Sequence, residues 1–172
     1  MTVPPTRPSP RVTLPDGPLP DHQPATLLFV VRDGEVLLIH KKRGVGAGLY
    51  NGPGGKLEGS ETPREAAVRE TVEEVRAEPT GVEPAGVLDF RFGDDPFTYV
   101  SVFTATGLDG EPRETPEAVP EWRPLDAVPY DEMWPDDRYW LPPVLDGGRV
   151  AGTFLFDGDG DELREWALRV RD

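Results

Sequence analysis

The chain has 172 residues, which is enough for one domain with a hydrophobic core and too few for two. Its net charge of −14 argues against a nucleic acid polymer as partner, because an acidic protein repels polyanions; a small anionic substrate remains compatible if a divalent cation mediates the contact. The chain has no cysteine and no apolar run of membrane-spanning length, so we expect a cytoplasmic protein without disulfides, thiolate metal sites or a membrane partner.

The first 24 residues are rich in proline, which fixes the backbone and removes hydrogen-bond donors. The prolines are Pro4, Pro5, Pro8, Pro10, Pro15, Pro18, Pro20 and Pro24. Such a segment cannot sustain a helix or a central strand, so we predict that residues 1–24 form an extended, poorly ordered leader. A dispensable tail is the first interpretation, and a proline segment that binds a partner is the alternative. Residues 25–172 then form the single domain.

The predicted elements of the domain begin at residue 26. Residues 26–32 and 35–42 are β-rich and separated by Asp33-Gly34, a dipeptide typical of a tight hairpin. A glycine-rich loop spans residues 44–55, and residues 62–75 form a helix that Thr62 can cap and Pro63 can begin. Further strands are predicted at 82–92, 98–106, 151–156 and 166–170, with short, weak helices at 125–133 and 136–145. The class is therefore α+β, with one long helix and a second short helix packed on a mixed sheet.

The predicted helix carries a cluster of carboxylates. Glu70, Glu73 and Glu74 are spaced i, i+3 and i+4, so they project from one helix face. Three like charges there favour a hard cation that takes oxygen ligands, Mg²⁺ or else Mn²⁺. From charge alone, a solvated helix face is the more ordinary interpretation. We expect Arg69 to pair with a carboxylate such as Glu61 and to hold the preceding loop against the helix.

The spacing of this segment resembles the signature of the Nudix hydrolases, G-x5-E-x7-R-E-U-x-E-E-x-G-U, in which U is aliphatic. The positions in register are Gly55, Glu61, Arg69, Glu70, Glu73 and Glu74. The chain departs from the signature at Thr71, at Arg76 in place of the last glycine, and at Ala77. Because that glycine permits a left-handed helix cap, we expect at Arg76 either strain of about 1 kcal/mol or a different helix exit.

The resemblance implies an α/β/α sandwich-like fold and Mg²⁺-dependent cleavage of a pyrophosphate bond. It implies that Arg69, Glu70, Glu73 and Glu74 are the catalytic residues. The metal ligands implied are these three glutamates, Glu117 and the backbone carbonyl of Gly54. Water activated by metal and carboxylate would attack phosphorus and give a nucleoside monophosphate and pyrophosphate.

Residues 41–48, 50–56 and 133–140 resemble one branch of the family, the hydrolases of oxidised purine nucleoside triphosphates. Trp134 offers a flat face on which a purine can stack. The adjacent carboxylates of Asp136 and Asp137 should repel each other, so that one stays protonated and donates to the base while the other accepts from it. Without the resemblance, residues 134–137 are more typical of a capped helix start with a core tryptophan.

The resemblance also implies five further substrate-binding residues, which are Thr26, Lys41, Asn51, Phe90 and Phe92. Val45 stands where relatives carry an aromatic residue, and Thr98 and Ala118 stand where they carry methionines, so we expect a wider pocket. The predicted function is Mg²⁺-dependent hydrolysis of 8-oxo-dGTP and 2-hydroxy-dATP by a monomer, which cleans the nucleotide pool. The alternatives are hydrolysis of ordinary dNTPs or nucleoside diphosphate derivatives, and a nucleotide sensor without turnover.

Overall fold

The computed structural model describes residues 7–172, so the first part of the predicted leader, residues 1–6, lies outside the described residues. The strands are β1 (Gln23–Arg32), β2 (Glu35–Lys41), β3 (Tyr50–Asn51), β4 (Gly54–Lys56), β5 (Glu78–Thr80), β6 (Glu83–Phe92), β7 (Thr98–Ala105), β8 (Gly107–Asp109), β9 (Ala118–Pro124), β10 (Arg149–Phe156) and β11 (Leu163–Arg171). The helices are α1 (Pro63–Val75), α2 (Asp137–Leu145) and a 3-10 turn at Tyr130–Glu132.

One large mixed sheet organises the domain, in the strand order β11-β10-β6-β7-β1-β2-β3, with β4 paired to β1 and β9 to β2. Helix α1 packs on one face, where Ala67 and Val75 meet Leu28 and Phe103. Helix α2 packs on the other face, where Trp140 joins a cluster with Phe29, Phe154 and Leu88. Strands β5 and β8 form a separate ribbon. The predicted α+β class, with a sheet between two helical layers, is confirmed.

The hairpin predicted at Asp33-Gly34 is confirmed. Both residues have positive φ, 54° and 77°, and the flanking residues Arg32 and Glu35 pair directly. Positive φ at both central positions gives a tight turn whose twist matches that of the strands. The two strands then diverge, so that β1 pairs along its length with β7 and β2 pairs with β9.

Helix α1 is also as predicted. The Thr62 side chain accepts a hydrogen bond from the backbone of Glu65, the Glu65 carboxylate accepts one from the backbone of Thr62, and Pro63 opens the helix. The helix ends at Arg76, whose φ of 59° and ψ of 32° are left-handed and whose N–H donates to the carbonyl of Val72. Of the two expected exits, the chain takes the strained one, with arginine in a conformation that favours glycine.

Several predicted boundaries were wrong. The first strand begins at Gln23, not at residue 26, because three further residues pair in parallel with β7. The weak helix at 125–133 is only the 3-10 turn, and β9 was missed because Pro120 and Pro124 made it a poor strand candidate. Strands β3, β4, β5 and β8 were missed because two or three residues carry no periodic signal.

Three further features concern the N-terminal segment, helix α2 and membranes. Residues 7–22 contain no helix and no strand. Helix α2 runs through Pro142 and Pro143. Within residues 7–172, no helix is both long and apolar enough to cross a membrane.

Replacing Arg76 by glycine should relieve the left-handed strain and stabilise the protein by about 1 kcal/mol. Arg76→Ala is the matched control, because alanine also loses the long side chain but keeps the Cβ atom that causes the strain. Urea unfolding of the three proteins in metal-free buffer measures the difference. Equal free energies of unfolding for the glycine and alanine variants would contradict this account of the helix end.

Candidate functional site

The carboxylates of α1 open onto a cavity of about 340 Å³ at the end of the sheet. Its lining residues are Arg43, Glu70, Glu73, Glu74, Arg76, Pro116 and Glu117. Helix α1 supplies three glutamates from one face, and the segment before β9 supplies the fourth. The spacing on the helix and a distant loop therefore bring together the four carboxylates that the sequence marked as metal ligands.

Glu74 is the buried member of this group, with 6% of its surface exposed. Burial raises the pKa of its carboxyl to about 8, the backbone N–H of Gly54 opposes this with a hydrogen bond of 3.3 Å, and the negative charge of Glu70 adds to the rise. Lys41, at the end of β2, opposes the rise by its positive charge. A buried carboxyl in this state is ionised at neutral pH only if a further positive charge reaches it.

The three glutamates do not converge on one point. Arg69 lies between them, with its Nη1 atom 3.0 Å from Glu70 Oε1 and 3.3 Å from Glu73 Oε2, and the side chain of Glu73 is half exposed. Within residues 7–172, no three carboxylate or imidazole side chains are close enough to hold one metal ion. The predicted meeting of all three carboxylates is therefore absent here, because the guanidinium of Arg69 holds Glu70 and Glu73.

Arg69 also ties the loop before α1 to the helix, as the sequence led us to expect. Its Nε and Nη2 atoms donate to the two carboxylate oxygens of Glu61 at 2.6 and 3.0 Å, and Nη2 donates to the carbonyl of Lys56 at 3.2 Å. This forked contact holds the pKa of Glu61 below its ordinary value. The contacts of Arg69 are those of a residue that positions β4 against α1.

The glycines of β4 allow the backbone to approach the carboxylates closely. A Cβ atom on Gly54 would lie 2.0 Å from the carbonyl oxygen of Thr26, and one on Gly55 would lie 2.6 Å from the carboxyl of Glu70. A side chain on Gly54 would push β4 away from β1, and one on Gly55 would push β4 away from α1. With β4 held this close, the backbone N–H of Gly54 donates to the carboxylate of Glu74.

These residues fit a hard divalent cation. The donors are carboxylate oxygens, the ligand type that Mg²⁺ prefers. Among residues 7–172, no positively charged side chain forms an ion pair with the buried carboxyl of Glu74, and the charge of Glu70 beside it raises its pKa further. Glu117 at the cavity rim pairs instead with Arg43, which holds its pKa below the ordinary value. Burial disfavours the negative charge of the Glu74 carboxylate, and a cation nearby would stabilise that charge.

A second cavity, of about 380 Å³, adjoins the first. Glu74 lines both cavities, and Gly54 lines the second. All eight residues predicted to bind substrate line it, namely Thr26, Lys41, Asn51, Phe90, Phe92, Trp134, Asp136 and Asp137. They come from β1, β2, β3, β6 and the start of α2, so the fold gathers segments that are far apart in the chain. Glu74 stands at the boundary of the two cavities.

Asp136 and Asp137 are each only 2% exposed, and Trp140 binds one of them. The Trp140 Nε1–H donates to Asp136 Oδ2 at 2.7 Å, whereas Asp137 Oδ2 is buried with no hydrogen-bond partner within residues 7–172. Burial raises the pKa of Asp136 to about 6 and that of Asp137 further, because Asp137 also feels the charge of Asp136. Burial and the repulsion between the two carboxylates therefore favour a state in which the pair holds one proton.

Trp134 forms one wall of this second cavity. Its ring lies 5.8 Å from that of Phe92 and meets the ring of Phe156 edge-on at 6.3 Å. A Cβ atom on Gly46 would come within 3.1 Å of the indole nitrogen, and one on Gly160 within 3.1 Å of the far edge of the ring. The two glycines therefore let two separate loops close against the tryptophan.

Residues 21–144, most of the chain, match the NUDIX domain family. The chain belongs to the Nudix family. An oxidized purine nucleoside triphosphate hydrolase of Danio rerio is 42% identical over 134 residues, which cover 77% of this chain and 86% of that protein. The protein of the same description from Mus musculus is 38% identical over 148 residues, covering 86% and 94%. A solved MutT protein of Bacillus halodurans matches with TM-score 0.76 and 31% identity, over 85% of this chain and 97% of that one.

Three residues of this Nudix site were missed by sequence reasoning. Trp140 lies one helical turn after Asp136, so an i, i+4 search from the aspartates could have found it. Phe156 lies on a distant strand, and no local signal marks it. Arg43 follows the predicted Lys41 but was not assigned a role. Of the three departures noted in the sequence, Val45 and Thr98 line the second cavity, while Ala118 is buried in the core beside α1.

The metal-free Nudix domain should lose stability as pH rises. The folded pKa of Glu74, about 8, lies above its ordinary 4.5, so the folded state holds a proton that the unfolded state releases. The stabilisation is complete below about pH 4.5 and disappears as pH passes 8. Between pH 6 and 9 in EDTA, the free energy of unfolding of Glu74→Gln should fall by about 2 kcal/mol less than that of the wild type.

Urea unfolding across this pH range measures the effect, and Glu111→Gln, at an exposed loop position, is the control. Adding Mg²⁺ at pH 8 should restore stability to the wild type but not to Glu74→Gln. If the free energy of unfolding changes with pH in the same way for the wild type and for Glu74→Gln, the raised pKa of Glu74 is contradicted.

Proposed function

We propose that this Nudix enzyme hydrolyses oxidised purine nucleoside triphosphates, 8-oxo-dGTP and 2-hydroxy-dATP, to the monophosphate and pyrophosphate with Mg²⁺. One observation carries the proposal: a buried aspartate pair and Trp134 line a cavity that shares Glu74 with the carboxylate cavity. A base in one cavity would place its phosphates at the other. The two relatives described as oxidized purine nucleoside triphosphate hydrolases support this choice of substrate.

The metal would be held by Glu70, Glu73, Glu74, Glu117 and the carbonyl of Gly54. When bound, it would neutralise phosphate charge and lower the pKa of water toward about 7, which makes hydroxide available. For Glu73 and Glu117 to take part, each must leave its arginine partner, Arg69 or Arg43. The freed guanidinium of Arg43, at the cavity rim, is then available to a phosphate oxygen.

The catalytic carboxylates have distinct roles under this proposal. Glu74 loses its proton when a cation arrives, so its ionisation is linked to loading of the site. Arg69 keeps β4 against α1 through Glu61 and through the carbonyl of Lys56. Lys41 lines the substrate cavity and adds positive charge beside Glu74. Together these residues would bind and orient the triphosphate.

The base would be read by the aspartate pair. Asp136, ionised and fixed by Trp140, can accept a hydrogen bond from a base N–H, and the protonated Asp137 can donate one to a base oxygen. Asp137 Oδ2, which is buried without a hydrogen-bond partner among residues 7–172, would make that donation. Because moving the shared proton exchanges donor and acceptor, one cavity can read more than one oxidised purine. Trp134 would stack on the base, and Asn51 would add an amide.

A second candidate has one specific observation in its favour. Val45, at the cavity rim, is 77% exposed and leaves the mouth open where relatives carry an aromatic residue. An open mouth suits a larger or less selective set of substrates, such as ordinary dNTPs or nucleoside diphosphate derivatives. A sensor without turnover fits less well, because every carboxylate of the signature is present.

The cellular setting belongs to the same proposal. We expect a cytoplasmic monomer that acts on free nucleotides and not on nucleic acid polymers. The net charge of −14 supports the last point, because phosphate backbones would be repelled. Gel filtration tests the monomer directly.

Asp136→Ala should lower kcat/KM for 8-oxo-dGTP about 10–100-fold, because a site built to hydrogen-bond the base loses its acceptor. For dGTP the loss should stay within about threefold, since that base does not match the hydrogen-bonding site. Steady-state release of pyrophosphate with saturating Mg²⁺ measures both substrates. Asp131→Ala is the control, because Asp131 is an exposed aspartate of the same segment that only pairs with Arg138. An equal loss on both substrates would overturn the assignment of the base site.

A further inference from the structure

Helix α1 covers only part of its face of the sheet. On the same face, another part of the chain covers β6, β10 and β11. On β6, β10 and β11, the side chains that point away from α2 include Asp89, Thr153 and Ala167, which pair across the strands. All three are buried, with at most 9% of their surface exposed. Helix α1 packs on β1, β4 and β7 instead. Residues 9–22, which precede β1, supply the contacts that follow.

The first anchor of this segment is on β11. The backbone N–H of Ser9 donates to the carbonyl of Trp166 at 2.7 Å, and the Ser9 hydroxyl donates to Glu165 at 3.0 Å. Arg11 reaches the same carboxylate at 2.9 Å. The side chain of Arg11 is 83% exposed, so its ion pair adds little, and the backbone hydrogen bond is the firmer contact.

The second anchor is on β6. His22 Nδ1 lies 3.3 Å from Asp89 Oδ1, and both side chains are less than a tenth exposed. The His22 ring stacks on Phe97 with centroids 5.0 Å apart, and the guanidinium of Arg91 lies 5.3 Å from the centre of the Phe97 ring. His22 is thus enclosed by β6 and by the turn that leads to β7.

The two anchors fix the path between them. Because β10 lies between β11 and β6, residues 12–21 must cross β10. Val12, Leu14 and Pro15 are half-buried along this path, and Thr153 of β10, the neighbour of Asp89, is buried beneath it. Leu19 and Asp21 remain exposed. The segment therefore runs across three strands on the side opposite to α2.

The second anchor lies directly behind the substrate cavity. Successive residues of a strand point to opposite faces, so Asp89 meets His22 on one face while Phe90 enters the cavity on the other. Phe92, two residues further, packs against Trp134. A shift of β6 at Asp89 would therefore move two aromatic walls of the base site.

We infer that residues 9–22 form a strap that holds β6 in place, and that His22 and Asp89 are positioning residues for the cavity wall at Phe90. The match to the Nudix family begins at residue 21, so the β11 anchor lies outside the family domain. His22 and Asp89 lie within the matched residues. The effect of the strap on substrate rests on the proposed function.

His22→Ala tests the strap, with Leu19→Ala, an exposed position of the same segment, as matched control. For the 8-oxo-dGTP reaction at saturating Mg²⁺, His22→Ala should raise KM about three- to tenfold and leave kcat within about twofold. Amide hydrogens of residues 88–92 should exchange about tenfold faster, while those of α1 stay unchanged. The melting temperature should fall by about 5 °C, because Asp89 is left buried without its partner. Leu19→Ala should match the wild type in all three measurements.

A lower melting temperature with unchanged KM and unchanged exchange in residues 88–92 would overturn the inference, since His22 would then only fill space. So would equal effects of His22→Ala and Leu19→Ala. If His22→Ala does not fold, Asp89→Asn keeps the volume of the side chain, removes its charge and is judged by the same criteria. The exchange measurement needs no substrate, so it judges the strap even if the protein hydrolyses no oxidised nucleotide.

Discussion

The burial of Glu74 is the constraint on which the site depends. Its carboxylate is enclosed because Gly54 lets β4 lie against β1 and Gly55 lets β4 lie against α1, and Arg69 and Glu61 hold β4 and α1 together. Burial disfavours its charge, and the neighbouring Glu70 disfavours it further. Since Glu74 also borders both cavities, the cation that restores its charge would stand between the base site and the cleavage site.

A second pair of neighbouring carboxyl groups, Asp136 and Asp137, is stabilised differently from Glu74 and Glu70. Asp136 and Asp137 are also enclosed, but Trp140 donates to Asp136, and the pair keeps one proton without needing a metal. One fold therefore gives two carboxylate groups two kinds of chemistry. The group on α1 is suited to a cation and phosphate, and the group at the start of α2 is suited to neutral hydrogen-bond partners on a base. Strand β6, which carries Phe90 between the second group and the strap, links this pocket to the far side of the sheet.

Short sequence motifs correctly predicted the elements that such motifs specify. The Asp33-Gly34 hairpin, the capped helix at Thr62 and the spacing from Glu70 to Glu74 are all written in short stretches of sequence. Resemblance added the eight residues of the substrate cavity, which only the fold brings together. The sequence could not show that Arg69 would form ion pairs with both Glu70 and Glu73, because side-chain pairing depends on tertiary geometry. Nor could the prolines of the leader reveal that His22 would be buried against Asp89.

On this account, a divalent cation that binds beside Glu74 would displace the proton of its carboxyl group. Titration calorimetry with Mg²⁺ at pH 7, in two buffers of different ionisation enthalpy, counts the protons released on binding. With a metal-free pKa of about 8, Glu74 is protonated at pH 7, so the wild type should release close to one proton and Glu74→Gln almost none. Mg²⁺ binding without proton release, or equal release from both proteins, would contradict this account of the site.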